Sequence, residues 1–224
     1  MAKRGVIIVA GGSGRRMGSA LPKQFMMLGG MPVLARTINT FSEALPSADL
    51  VVVLPEEHIA LWRNLASRFD IAVHRCVAGG KERFHSVLRG LEALNDDVEY
   101  VAVHDGVRAL VSKKLIVRAA LAVEEHDAVI PVVDVVDSYR RITEQGSETF
   151  PRNELRIVQT PQMFSAELLR RAYKQEYNPS FTDDASVVEA IGSTITLIDG
   201  ERSNLKLTTP DDMSWAEWLL SREE

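Results

Sequence analysis

The stretch Arg4-Gly5-Val6-Ile7-Ile8-Val9-Ala10-Gly11-Gly12-Ser13-Gly14-Arg15-Arg16-Met17-Gly18 decides the fold. Val6 to Val9 is a β-branched run cut off by glycine, which reads as a short buried strand entering a loop. Downstream the hydrophobic period switches repeatedly between helix and strand. Pro32 to Ala44 reads as a helix, Leu50 to Leu54 as a strand and Glu56 to Phe69 as a helix. Ile71 to Val77 reads as a third strand. Lys81 to Leu94 follows as an amphipathic helix, with Phe84, Val87, Leu88, Leu91 and Leu94 on one stripe. Tyr100 to Val103 (strand), Lys113 to Glu125 (helix) and Ala128 to Val133 (strand) continue the pattern. Such alternation predicts an α/β protein with a mostly parallel sheet and helices on both faces.

The alternation breaks near residue 135. Ser138 to Ile142 and Arg156 to Gln159 read as extended segments around the polar turn Glu144-Gln145-Gly146-Ser147, so 136–159 is expected to form a projecting β-arm. Helices are expected at Ala166 to Gln175, Asp184 to Ala190 and Asp211 to Leu220, the last begun by Pro210, with a strand at Thr194 to Ile198. No repeat or low-complexity linker divides the 224 residues, so one domain spanning 1–224 with an arm is the expectation.

Composition excludes several classes. Hydrophobic residues make up 46% and charged residues 25%, which allows a packed core and argues against disorder. No apolar run approaches the roughly 18 residues of a membrane span, and residues 5–10 are too short a run for a signal peptide. A single cysteine, Cys76, gives no internal disulfide and no Cys-cluster metal site. A cytoplasmic protein with no membrane partner is expected. The net charge of -5 argues against a nucleic-acid partner, yet it hides an asymmetry. The first 42 residues carry six basic side chains (Lys3, Arg4, Arg15, Arg16, Lys23 and Arg36) and no acid, and the first carboxylate is Glu43. A cationic segment on an acidic body suits a small anion, although chance clustering on a solvated face gives the same count.

The glycine loop narrows the anion. Glycines let backbone N–H groups approach phosphate closely. The P-loop pattern fails because no glycine here precedes Lys and then Ser or Thr. The dinucleotide fingerprint fails because Met17 stands where its third glycine belongs, and the nucleophile elbow fails at Arg15. What remains is a phosphate loop with Arg15, Arg16 and, in Leu21-Pro22-Lys23-Gln24-Phe25, Lys23, a set that suits a triphosphate.

Residues 10–25 resemble the signature of nucleotidyltransferases with a Rossmann-like sheet. Further motifs follow: Gly79-Gly80-Lys81-Glu82-Arg83-Phe84-His85-Ser86-Val87, His104-Asp105-Gly106-Val107-Arg108, Thr160-Pro161-Gln162-Met163-Phe164, Thr182-Asp183-Asp184-Ala185-Ser186 and Asn204-Leu205-Lys206-Leu207-Thr208. Together and in this order, they resemble the 2-C-methyl-D-erythritol 4-phosphate cytidylyltransferase family, from about residue 4 to residue 220. The resemblance implies CMP transfer from CTP to a small sugar-alcohol phosphate in the non-mevalonate isoprenoid pathway, with Mg²⁺ or another divalent cation as cofactor and a homodimer as the assembly. Ribitol-5-phosphate cytidylyltransferases share most of the motifs. A nucleotide-binding regulatory module without turnover is the reading from another class, and the joint presence of Arg16, Lys23 and Asp105 speaks against it.

The resemblance also implies roles. Ala10, Gly11, Gly12, Ser13 and Gly14 would cradle the CTP phosphates. Arg16 and Lys23 would stabilise the transition state. Gly79, Gly80 and Ser86 would read cytosine. Asp105 and Gly106 would lie near the ribose and the acceptor, with Asp105 also a metal ligand through water. Arg108, Thr182 and Lys206 would lie near the sugar phosphate, while Ser138 and Arg152 on the arm would reach the neighbouring subunit's site.

The residues allow plainer readings. Asp105 suits a helix cap or turn, Thr182 with Asp183 a helix cap, and Lys206 an outward position on an extended segment. His85 and His104 read as structural histidines. Ser86 falls on the helix face opposite Phe84, Val87 and Leu91, which predicts a hydroxyl free for a ligand. Four positions depart from the family pattern. An acid or small polar residue is usual near Lys81, proline at Ala109, often a basic residue at Thr209, and alanine at Val107.

Overall fold

The computed structural model describes residues 2–12 and 21–222. In chain order β1 spans Arg4–Val9. A single 3-10 turn at Lys23–Phe25 precedes the two-residue strands β2 (Met27–Leu28) and β3 (Met31–Pro32). Then come α1 (Val33–Ala44), β4 (Asp49–Leu54), α2 (Glu56–Ala66), β5 (Arg75–Ala78) and α3 (Arg83–Ala93). β6 (Tyr100–Asp105), α4 (Lys113–His126) and β7 (Ala128–Asp134) complete the alternating part. The remainder comprises β8 (Tyr139–Thr143), β9 (Gly146–Phe150), a 3-10 turn at Arg152–Glu154, β10 (Arg156–Val158), β11 (Gln162–Ser165), α5 (Ala166–Ala172), α6 (Asp184–Glu189), β12 (Thr196–Asp199) and α7 (Pro210–Leu220).

The main sheet runs β10-β7-β11-β6-β1-β4-β5, with β12 paired to β7. β1 lies parallel between β4 and β6, with Val9 opposite Val53 and Asp105. β5 continues in parallel beyond β4. β1 shows why both faces are covered. Val6 and Ile8 point into a core with Leu34, Ile38 and Phe41 of α1 and Leu115 and Ile116 of α4. Ile7 points the other way, into a core with Val87 and Leu91 of α3, Leu169 of α5 and Val187 of α6. The two-residue period of a strand sends alternate side chains to opposite helical layers. α3 sits so close to β1 that a Cβ on Gly90 would come within 2.5 Å of Ile7 Cγ2, so only glycine fits there.

The sheet is mixed. β11 is antiparallel to both β6 and β7, a strand that the sequence reading left between elements. The arm is also redrawn. Tyr139–Thr143 pairs with Gly146–Phe150 in a separate two-stranded ribbon, whereas Arg156–Val158 pairs antiparallel with Val132–Asp134 in the main sheet. The expectation that Arg156 to Gln159 formed the second arm strand is therefore corrected. Short range explains it: β8 folds back across a tight turn, with Gly146 at φ +133°. β8 and β9 are exposed almost throughout. Two further boundaries shift. α2 stops at Ala66 rather than Phe69, and β5 begins at Arg75 rather than Ile71, because only Arg75 to Ala78 finds partners on β4.

Candidate functional site

The C-terminal ends of β1, β4, β5 and β6 open onto one pocket of about 560 Å³. Open α/β sheets place ligands at this edge because helix N-termini and loop amides converge there. Its floor is Val9, Ala10, Gly11 and Gly12. Pro55, Glu56 and Glu57 form one flank and Gly79 to Arg83 another, and Asp105 closes the inner end. The loop start is pinned from two sides: the Ala10 N–H donates to Val53 O at 2.9 Å, and Gln24 Nε2 donates to Ala10 O at 2.9 Å. Lys23, in the 3-10 turn, is almost fully buried. A Cβ on Gly12 would lie 3.6 Å from Lys23 Cε, so this lysine borders the loop backbone directly. Phe25, two residues on, is stacked on Trp62 at 5.7 Å, which anchors the turn in the core. Ser13, Gly14, Arg15 and Arg16 lie outside the described residues.

On the opposite flank the Gly79 N–H donates to Leu54 O at 2.8 Å and extends the strand pairing. Ser86 lines the pocket, but the expectation of a free hydroxyl is corrected. Its residue is buried, and its Oγ accepts from the Gly80 N–H at 3.2 Å and donates to Glu82 O at 3.2 Å. The helical wheel put Ser86 opposite the core stripe. The Gly79-Gly80 segment folds back over that face and covers it, so close that a Cβ on Gly79 would come within 2.8 Å of Ser86 Oγ. Ser86 therefore shapes the glycine segment.

A second cavity of about 300 Å³ adjoins the first. It is lined by Arg108, Val158, Gln159, Thr160, Gln162, Thr182 and Asp183, and it shares Arg83, Asp105 and Lys206 with the larger pocket. These three side chains are thus a common wall. Asp105 Oδ2 lies 3.1 Å from Lys206 Nζ and 3.2 Å from Arg108 Nε, and Oδ1 lies 4.0 Å from Arg83 Nε. Burial alone would raise the Asp105 pKa, but Lys206, Arg83 and Arg108 together hold it well below the usual carboxylate range. The group stays ionised across the physiological range.

Lys206 keeps the outward, exposed position of an extended segment next to buried Leu207, and its Nζ reaches across the wall to Asp105. Arg83 is fixed from behind by Asp184, which is wholly buried and accepts from Arg83 Nη1 and Nη2 at 2.7 and 2.6 Å and from the Tyr173 hydroxyl at 2.6 Å. Thr182 lines the second cavity, and Asp183 caps α6 through the Ser186 N–H, so this motif is both a cap and a wall.

The structure brings Ala10, Gly11, Gly12, Lys23, Gly79, Gly80, Ser86, Asp105, Arg108, Thr182 and Lys206 to the two cavities. It does not bring Gly106, Ser138 or Arg152. Gly106 packs under the loop, where a Cβ would come within 2.9 Å of Ala10 Cβ, and its N–H donates to Val9 O at 2.9 Å. Ser138 precedes the ribbon, and Arg152 lies in a shallow pocket at its base with Asp134, Val136 and Arg156. Arg83, Thr160, Gln162 and Asp183 were missed as wall residues, although each falls within a quoted motif. Of the departing positions, Lys81 and Val107 line the larger pocket, Ala109 sits in the core under α7, and Thr209 caps α7.

Among the described residues no three His, Cys, Asp or Glu side chains gather as metal ligands. Among the described residues Asp105 is the one carboxylate common to both cavities, while Glu56, Glu57 and Glu82 line the larger one only. Mg²⁺ commonly takes one or two carboxylates and completes its octahedron with water and substrate phosphates. That donor set fits an ion carried mainly by a triphosphate and met by Asp105 through water. No helix among the described residues is long and apolar enough to cross a membrane.

Comparison with known proteins identifies what the whole chain is similar to. The family model for 2-C-methyl-D-erythritol 4-phosphate cytidylyltransferase matches residues 5–222. Proteins of that name from Bacteroides fragilis and Phocaeicola vulgatus are 51% and 50% identical to the chain, each over 97% of it and 99% of the relative. The crystal structure of 4-diphosphocytidyl-2C-methyl-D-erythritol synthase from Anaerococcus prevotii superposes with a TM-score of 0.84 at 29% identity, covering 99% of both chains. The 2-C-methyl-D-erythritol 4-phosphate cytidylyltransferase of Thermus thermophilus gives 0.79 at 32% identity, covering 99% of this chain and all of the other.

Proposed function

The chain belongs to the 2-C-methyl-D-erythritol 4-phosphate cytidylyltransferase family, and from that premise we propose how its residues divide the work of the reaction. The enzyme transfers CMP from CTP to 2-C-methyl-D-erythritol 4-phosphate and releases pyrophosphate, forming 4-diphosphocytidyl-2-C-methyl-D-erythritol. In our reading the larger pocket takes CTP, with the triphosphate on Ala10 to Gly14 and the base against Gly79, Gly80 and the segment that Ser86 orders. The smaller cavity takes the acceptor, its phosphate near Arg108, Thr182 and Lys206. The observation that supports this reading is the wall of Arg83, Asp105 and Lys206 that the two cavities share, with three basic side chains around Asp105.

An oxygen of the acceptor phosphate attacks the α-phosphorus of CTP in line as the bond to the β-phosphate oxygen breaks. A phosphate dianion needs no general base at neutral pH, which agrees with His104 being fully buried and pushed down to about 3 by that burial. Catalysis then rests on alignment and on neutralising the charge that builds on the transferring group. Lys23 supplies positive charge there, and the family resemblance gives Arg16 the same role. Mg²⁺, when bound to the triphosphate, adds Lewis-acid neutralisation of the same oxygens. Asp105 would orient the acceptor and would be the carboxylate to meet the ion through water.

The reading includes a homodimer in the cytoplasm. The exposed β8–β9 ribbon has no core of its own, and a two-stranded ribbon is marginal unless it packs on something. Ser138 and Arg152 would then serve the neighbouring subunit's acceptor cavity. The test of the function is pyrophosphate release from CTP and Mg²⁺ with methylerythritol phosphate, against ribitol 5-phosphate and a UTP control. Turnover with the first acceptor and CTP is expected. Preference for ribitol 5-phosphate would move the enzyme to the neighbouring family, and no turnover with either would favour a regulatory module.

A further inference from the structure

Behind the acceptor cavity lies a buried polar network in which His104 and Asn204 line neither cavity, whereas Gln159 and Thr160 line the smaller one. His104 is fully buried at the end of β6. Its Nδ1 lies 2.9 Å from Thr160 Oγ1, and its Nε2 lies 3.3 Å from Arg108 O. The Asp105 N–H donates to the same Thr160 Oγ1 at 3.1 Å. That hydroxyl has one proton, so it donates to His104 Nδ1 while accepting from Asp105. The imidazole then carries its proton on Nε2 and donates it to Arg108 O. Both ring nitrogens are thus engaged.

Asn204, also fully buried, works from the other side. Its Nδ2 donates to Thr160 O at 2.8 Å, and its backbone O accepts from Arg108 Nη1 at 2.8 Å. Gln159 ties the same loop down, donating to Glu201 O at 2.7 Å and accepting from the Glu201 N–H at 3.1 Å. Asn204 stands two residues before Lys206, whose Nζ meets Asp105.

We infer that His104 and Asn204 are positioning residues that together hold Asp105, Arg108 and Lys206 in register across the acceptor cavity. Three chain segments meet there: the end of β6, the β10–β11 junction and the 200–206 loop. Each supplies part of the wall: sheet pairing carries β11 against β6 as far as Gln162 opposite Val103, the Leu207 N–H donates to Val107 O, and the side-chain network fixes Thr160 and Arg108 beyond those bonds. Thr160 is the joint: His104 holds its hydroxyl and Asn204 holds its carbonyl. Asn204 also holds the Arg108 guanidinium. The glycine-loop and Gly79 side of the nucleotide pocket has separate supports in Val53, Gln24 and Leu54, so loosening this network should act mainly on the acceptor and reach the nucleotide only through the shared Asp105 and Lys206.

The inference rests on the assignment of the two cavities above, and the experiment separates the two. Wild-type turnover with CTP and methylerythritol phosphate is measured first; its absence would reject the assignment itself. His104→Gln, which keeps a donor near Arg108 O and removes the acceptor for Thr160, and Asn204→Asp, which keeps shape and removes the donor, are then compared with wild type. Losing one such hydrogen bond corresponds to a rise in acceptor KM of about tenfold. CTP affinity, measured by calorimetry without acceptor, is expected to change by about twofold at most, because the backbone supports of Ala10 and Gly79 do not involve the network, although Asp105 and Lys206 border both cavities. Unchanged acceptor KM in a folded variant, or a parallel loss of CTP affinity, would overturn the inference. If Asn204→Asp fails to fold, His104→Gln decides. Failure of both to fold would also overturn it, because the pair would then belong to the fold and not to the cavity.

Discussion

Arg83 and Asp184 form a two-pronged ion pair, Nη1 to Oδ1 at 2.7 Å and Nη2 to Oδ2 at 2.6 Å, behind the wall shared by the two cavities. Asp184 is wholly buried at the start of α6, and Tyr173 from the segment after α5 donates to the same oxygen that Arg83 Nη1 reaches. The pair thus joins α3, α6 and the end of α5 and sets the guanidinium beside Asp105. Removing one partner of a buried pair leaves the other charge uncompensated. Asp184→Asn is expected to lower the unfolding free energy by about 3 kcal/mol or more, read from urea denaturation. Tyr173→Phe, which removes one hydrogen bond, is expected to lose about 1 kcal/mol. Equal losses for the two variants would show that the ion pair adds nothing beyond a neutral contact.

Lys23 borders the glycine loop and lines the nucleotide pocket. Lys23→Ala is expected to lower kcat by about 10²- to 10³-fold, the usual cost of one preorganised donor to a developing charge. Circular dichroism and the melting profile should stay close to wild type, because Phe25 on Trp62 holds the turn. Near-normal turnover would remove Lys23 from the catalytic set.

His104 gives a pH signature in stability. Its folded pKa is pushed down to about 3 by burial, while an unfolded histidine titrates near its ordinary value of about 6.5. Between those values the unfolded chain binds the extra proton, so stability falls as pH falls, by up to about 1.4 kcal/mol per pH unit. The groups around the ring are Asp105, Arg108 and Lys206. Asp105 is itself held low, so its own loss begins only below about pH 4. Unfolding at pH 7, 6 and 5 is expected to show this slope in wild type and a flatter one in His104→Gln. Parallel slopes would mean that the ring accepts a proton in the folded state.

Arg152 lies at the foot of the ribbon and outside both cavities of its own chain. An Arg152→Ala subunit and a Lys23→Ala subunit are each expected to be impaired as homodimers. Heterodimers should regain up to about half of the activity per active site, because one of the two sites would be intact, as expected of a two-fold assembly with shared sites. Verified heterodimers without recovery would confine each site to one chain.

The sequence made the alternating half of the fold legible because two periods and glycine punctuation agree there. β1, α1, β4, α3, β6 and α4 fall close to their expected spans. β11 was hidden for a physical reason. Gln162 to Ser165 is four residues long, follows a proline and carries polar groups at both ends, yet pairing with β6 on one side and β7 on the other makes it a central strand. The second arm strand escaped notice because Gly146 to Phe150 carries Ser147, Glu148 and Thr149, polar side chains natural to a ribbon exposed on both faces.

Within the site, Gly11, Gly12, Lys23 and Asp105 were legible because strand ends and a glycine loop have few uses. Ser86 was misread because a helical wheel shows the face a helix offers, but not the loop that folds back over it. Arg83 was overlooked because its partner lies 101 positions away, at a distance no local pattern reports.

The two-stranded ribbon makes the molecule thermodynamically uneven. Amides of β1 and β6, paired on both sides within the sheet, exchange with solvent only when the whole domain opens, whereas those of β8 and β9 need only the ribbon to come apart. Hydrogen exchange would therefore divide the chain into a slow scaffold and a fast appendage. A neighbouring copy that clasps the appendage would slow its exchange in proportion to protein concentration, which turns a local property of twelve residues, Tyr139 to Phe150, into a gauge of assembly.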